Sequence, residues 1–161
     1  MNNGWAKWAP ATETTWSRLP ADAMALIDVA DAHRLAAERA RLPQATARIL
    51  AEPTYSVRNR FRYWERLIRR MEEGWAPDGF YLVDEYVNDL ESRDQIDVLG
   101  AAEPGLLTGP LGELLASLDH RFLAATLDDG GAELRLQAPR LGELEGLNAR
   151  WRRVPRVNPW S

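Results

Sequence analysis

A chain of 161 residues with 45% hydrophobic content is sized for one domain with a real core, and its net charge of −4 argues against general nucleic-acid binding, which needs a basic balance. The absence of cysteine excludes disulfides, thiol nucleophiles and thiolate metal sites. No apolar run approaches the roughly 18–20 residues that span a bilayer, and the start lacks the basic and apolar blocks of a secretory signal, so a cytoplasmic protein outside the membrane is expected.

Residues 1–20 read as an irregular aromatic arm, with Pro10 and Pro20 bracketing a Thr-rich stretch. Trp5, Trp8 and Trp16 are expected to lie across the domain; docking of an exposed arm on a partner is the alternative. Pro20 to Arg41 predicts an Ala-rich helix with Leu26, Val29, Ala30, His33, Ala37 and Ala40 on one face. Leu42-Pro43 ends it, a short helix over 44–51 follows, and Thr54 or Ser56 caps the next.

The centre of the chain is the run from Val57 to Leu90. Val57, Phe61, Trp64, Ile68, Met71 and Trp75 recur at three- and four-residue spacing, with Leu67 at the edge of their stripe. Beside it stand Arg58, Arg62, Arg66 and Arg69. Pro77 follows the helix end near Gly74. A second apolar set then runs through Phe80, Val83, Val87 and Leu90, with Tyr86 close by and Asp84, Glu85, Asp89 and Glu91 outside. The two helices are expected to pack antiparallel.

After Leu90 the apolar phase slips, and Ser92 with Gln95 fits a capping box, so a bend or new helix is predicted through Leu99. Residues 100–110 form a loop that folds back through Leu106 and Leu107. Pro110 to Leu127 is the next helix, with Leu111, Leu114, Leu115, Leu118, Phe122 and Ala125 as its stripe, and Asp128 to Gly131 stops it. Leu134 and Leu136 alternate with Glu133 and Arg135, predicting a short strand that pairs with residues 151–154. Residues 150–161 form an extended Arg/Trp tail. The predicted fold is mainly α: one compact helical bundle over residues 1–161, with about five or six helices and at most a small C-terminal ribbon.

Charge is segregated. Residues 56–75 hold six Arg and three Glu, residues 78–97 seven acids and one Arg, and residues 150–161 four Arg and no acid. His33 and His120 are the candidate bases, but His33 lies on an expected apolar face and His120 points outward. Asp119 and His120 are neighbours about 100° apart on a helix and do not orient each other. Glu85 and Asp89 have four-residue spacing, yet paired Glu-x-x-His and calcium-loop patterns are absent. Nucleophile-elbow, Ser-x-x-Lys and phosphate-loop motifs are absent too, and Lys7 is the only lysine. Neither metal nor cofactor is expected.

The functional expectation is a non-enzymatic protein-interaction module. Asp84, Glu85, Asp89, Glu91, Asp94 and Asp97 would meet a basic protein partner, with Arg58, Arg62, Arg66, Arg69, Arg152 and Arg153 as a secondary basic surface. A bacterial immunity or antitoxin-like inhibitor of a basic toxin is one version, by analogy of layout. An enzyme or small-ligand binder is the alternative, with an inter-helical pocket drawing on His33, Asp119, Tyr63, Tyr86 and Arg93. A nucleic-acid-associated subunit using the Arg helix and tail ranks last.

Overall fold

The Val57–Trp75 stripe organises the molecule. In the computed structural model, which describes residues 9–75, 80–144 and 146–160, helix α4 (Val57–Glu73) runs through the middle of the core. Val57, Phe61, Trp64, Leu67 and Ile68 are all fully buried. Ser56 caps the helix, its side chain accepting from the Asn59 N–H. The buried apolar residues of every large helix join one cluster around it.

Helix α1 (Pro10–Ser17) corrects the expected irregular arm. Pro10 starts it, since proline has no N–H to lose in a first turn. The hydroxyls of Thr14, Thr15 and Ser17 turn back onto carbonyls four residues earlier. Trp16 is buried edge-on against Phe61, ring centroids 5.7 Å apart. Trp5, Trp8 and the Pro77 turn lie outside the described residues.

Helix α2 (Ala21–Arg41) forms as predicted, but its buried face is rotated. Ile27 and Ala30 face the core, and Val29 and His33 face outward. Alanine supplies almost no contrast between faces, so Ile27 and Met24 decide the side. The short α3 (Gln44–Ile49) follows.

Helix α5 (Val83–Ala102) is α4's most extensive partner, with α6 (Pro110–Ala125) next. Arg60 meets Ser92 and Arg66 meets Asp89, so ascending α4 descends α5, and the pair is antiparallel as predicted. Two corrections fall here. Phe80 does not open the helix; it is 87% exposed, and α5 starts at Val83. Nor does α5 break at Ser92. Its apolar phase slips because its inner face turns polar, burying Ser92 and Arg93.

Leu106 folds back onto the core as expected. The α6 stripe Leu111, Leu114, Leu115, Leu118 and Phe122 is buried throughout. A small ribbon exists near the C-terminus, but its first strand is not residues 133–136. Strand β1 (Thr126–Asp128) pairs antiparallel with β2 (Arg153–Pro155), Leu127 opposite Val154. Residues 132–137 form a short helix, α7 (Ala132–Gln137). The Asp129 carboxylate accepts from the N–H groups of Gly131 and Glu133, which nucleates a turn of helix. Gly131 precedes it at φ 82°, a conformation that glycine adopts without strain. Seven α-helices are thus present among the described residues, against the five or six expected. The tail is not wholly extended either: a 3-10 turn, Ala149–Arg152, leads into β2. Among the described residues no helix is long and apolar enough to cross a membrane.

Candidate functional site: a charged groove between two helices

On α4, residues spaced by three (Arg60, Tyr63, Arg66) run beside the apolar stripe on the flank that faces α5. On α5, Glu85, Asn88, Asp89 and Ser92 follow the same helical logic. Where these polar stripes meet, they leave a groove of about 420 Å³, with Tyr55 at one end and Glu91 on the rim.

The cationic wall is under-compensated. The Arg60 guanidinium lies 4.3 Å from the centre of the Tyr55 ring, and Nη1 donates to the neutral Ser92 hydroxyl at 3.2 Å. Arg66 lies 4.8 Å from the Tyr63 ring centre and reaches Asp89 Oδ1 only at 3.3 Å. The buried Nε groups of Arg60 and Arg66 meet no acceptor, and neither do those of Arg34 and Arg150, which lie outside the groove lining. A buried donor without a partner costs about 1–3 kcal/mol. Burial lowers the Arg60 pKa, and the nearby charge of Arg34 lowers it further.

Asp89 is the buried anion of the groove. It is 2% exposed, contrary to the expected outward orientation. Its Oδ2 accepts from the Tyr81 hydroxyl at 2.9 Å. Burial pushes its carboxyl up to about 6, opposed by the Arg66 charge and the Tyr81 hydrogen bond. Burial also raises Tyr81, with the adjacent Asp89 charge adding to it.

The other acids expected to meet a partner are mostly engaged within the chain. Asp84 pairs with Arg140, and the Glu85 carboxylate accepts from the Leu82 N–H at the start of α5. Arg150 bridges Asp94 and Asp97, each at 2.8 Å, and Asp94 also accepts from the Trp151 indole at 2.7 Å. Glu91 stays exposed at the groove rim. The basic flank divides likewise. Arg58 pairs with Glu13, Arg69 faces the buried Glu65 at 3.7 Å, and only Arg66 of that set reaches the groove. Arg62 is half-buried and Arg152 exposed. Arg153 donates to Thr126 Oγ1 and to the carbonyls of Leu123 and Thr126.

Of the residues weighed for an inter-helical pocket, Tyr63 alone lines this one. His33 is exposed on α2 and pairs with Glu103. Tyr86 is buried and donates to the Arg153 carbonyl. Asp119 and Arg93 form a separate closed tie: Asp119 accepts from Trp64 Nε1 at 3.0 Å and from Arg93 at 2.8 and 2.6 Å. Arg93 also donates to Asp97. Both oxygens of Asp119 are therefore occupied, which suits a structural joint.

Sequence reasoning passed over Tyr55, Arg60, Asn88 and Ser92 as a group. A signal existed in the three-residue spacing of Arg60, Tyr63 and Arg66, a row that crosses from the edge of the stripe toward the face of Arg62. Among the described residues no group of three or more acids or histidines is placed to hold a metal ion. The groove instead offers guanidinium, hydroxyl and amide groups at fixed positions, with carboxylates on the facing wall. Comparison with protein-family models, curated proteins and solved structures found no match.

Proposed function

We propose that this protein is a non-enzymatic binding module whose recognition site is the α4–α5 groove, not the whole acidic face of α5. The observation that carries the reading is an open groove lined by Arg60 and Arg66, whose guanidiniums meet a neutral hydroxyl and a long contact to Asp89, while Asp84, Asp94 and Asp97 of α5 are paired within the chain. Asn88 lines this groove from an exposed position, so Asn88→Trp would fill it without entering the core. A thermal-shift screen of small polar compounds against both proteins tests the reading. Compounds that raise the melting temperature of the wild type should leave the Trp variant unchanged. Equal shifts in both would place binding elsewhere.

A second reading keeps the basic protein partner, including an antitoxin-like role, and concentrates it on the rim. Glu91 is exposed there, and the Asp84–Arg140 pair is solvent-facing, so a partner's cation displaces Arg140 at little cost. Partners retained by the wild type and lost by an Asp84→Asn, Glu91→Lys variant of unchanged melting temperature would favour it. Retention by both would discard it.

A further inference from the structure

The groove has charges of both signs on opposite walls, and this asymmetry specifies a ligand class. We infer that the α4–α5 groove binds an amino-carboxylate: a carboxylate held by Arg60 and Arg66, and an ammonium turned toward Glu85 and Glu91 at the mouth. The inference rests on the groove reading above and goes further by naming the chemistry.

Three facts support it. Each groove arginine has one face covered by a tyrosine and its Nε–H buried without an acceptor, so the Nη end of the guanidinium is what borders the open groove. The Nη groups of two neighbouring guanidiniums can each donate to one oxygen of a carboxylate. Arg34, outside the groove lining, bears on Arg60 with a like charge, so an anion arriving at Arg60 relieves repulsion between cations. Asp89 does not complete the pairing, because it is shared between Tyr81 and a long contact to Arg66.

The opposite wall selects against other anions. Glu85 and Glu91 repel a polyanion such as a phosphate ester or a nucleic-acid backbone, and attract a ligand that is cationic at its other end. A volume near 420 Å³ accommodates a small molecule or one or two side chains. The same chemistry is available from a free amino acid and from neighbouring Glu and Lys side chains on a peptide.

The test reads the two guanidiniums directly. Arginine Nε–H resonances of the full chain are followed by NMR during titration with 5-aminopentanoate, acetate, inorganic phosphate, and a capped peptide containing Glu and Lys. Saturable shifts of Arg60 and Arg66 with 5-aminopentanoate or the peptide, stronger than with acetate, support the inference; whichever of the two binds more tightly identifies the source. Arg60→Met, which keeps the aliphatic stem, should weaken that binding by about tenfold or more, the loss of a charge-assisted hydrogen bond. Glu91→Gln should erase the advantage over acetate. Should Arg60→Met fail to fold, Arg66→Met repeats the test. Shifts with 5-aminopentanoate and the peptide no larger than acetate produces, or phosphate binding as tightly, would overturn the inference. Ligands blocked by Asn88→Trp but indifferent to both arginines would overturn it while leaving the groove reading intact.

Discussion

At the scale of single residues, Asp89 and Trp64 show two ways that this core uses polar atoms. Burial raises the Asp89 carboxyl from 3.8 to about 6, so the folded chain holds that proton more tightly than the unfolded chain. The contribution of Asp89 to stability is therefore complete below 3.8 and is lost as pH rises through about 6. Asp31 and Glu65 are also raised by burial and act in the same direction, so a difference measurement is needed. Relative to Asp89→Asn, the wild type should gain stability as pH falls through about 6 toward 3.8, read from chemical denaturation at several pH values. The opposite slope would mean that Arg66 outweighs burial. Trp64 is fully buried against Phe122, ring centroids 4.6 Å apart, and donates to Asp119. Trp64→Ala should cost about 3–5 kcal/mol, a large share of an ordinary domain's stability of roughly 5–15 kcal/mol, and so reduce soluble yield. An unchanged melting temperature would contradict this placement. Trp64→Phe should cost far less, since Asp119 keeps both bonds to Arg93.

At the scale of elements, α6 is bound tightly to the loop before it. A Cβ built on Gly112 would stand 2.0 Å from the backbone oxygen of Leu107, where only movement of the chain relieves it. One built on Gly100 would meet the end of the Leu107 side chain at 2.4 Å, which a change of rotamer relieves. Both sites are helical, so alanine brings a gain of up to about 1 kcal/mol in propensity at each. Gly112→Ala should nonetheless lower the melting temperature, and by more than Gly100→Ala; the reverse order would show the loop to be loose. The elements differ in how far their sequence reveals them. Helices α4 and α6 were legible because a single apolar stripe holds its phase from end to end. The face of α2 was misread because alanine marks no side. In α5, a polar inner face at Ser92 and Arg93 imitated a break. In α7, Leu134 and Leu136 alternate as a strand would, but only Leu134 is buried, and Leu136 is 73% exposed. The groove was least legible of all. Its parts were visible as an Arg flank and an acidic run, but which arginine meets which acid depends on the register of α4 against α5, and no local pattern carries that.

At the scale of the whole molecule, the C-terminal segment acts as a clamp across elements that are distant in sequence. Arg150 and Trp151 engage Asp94 on α5. The Arg153 carbonyl accepts from Tyr86, and its guanidinium reaches Thr126 at the end of α6. The Trp160 indole donates to the Tyr81 carbonyl, and Trp75 donates to that of Val157, which brings the tail to the far end of α4. This arrangement gives the arginine-rich tail an internal role: Arg150 pairs with Asp94 and Asp97, and Arg153 and Arg156 donate to hydroxyl and carbonyl oxygens at the end of α6. Trp151 is buried within the clamp, at 4% exposure. Trp151→Ala combines the loss of an aromatic core residue, about 3–5 kcal/mol, with the loss of a partner for Asp94, and for a chain of this size should lower the melting temperature by roughly 10 °C. Val157→Ser, on an exposed side chain of the same segment, should leave it within a degree or so. Hydrogen exchange then separates a clamp from a passive tail. In the Trp151 variant, amides should lose protection at β1 and along α5 near Asp94 together, because one segment holds both. Loss confined to residues 149–160 would show that the bundle closes without its tail and that the tail only rests on it.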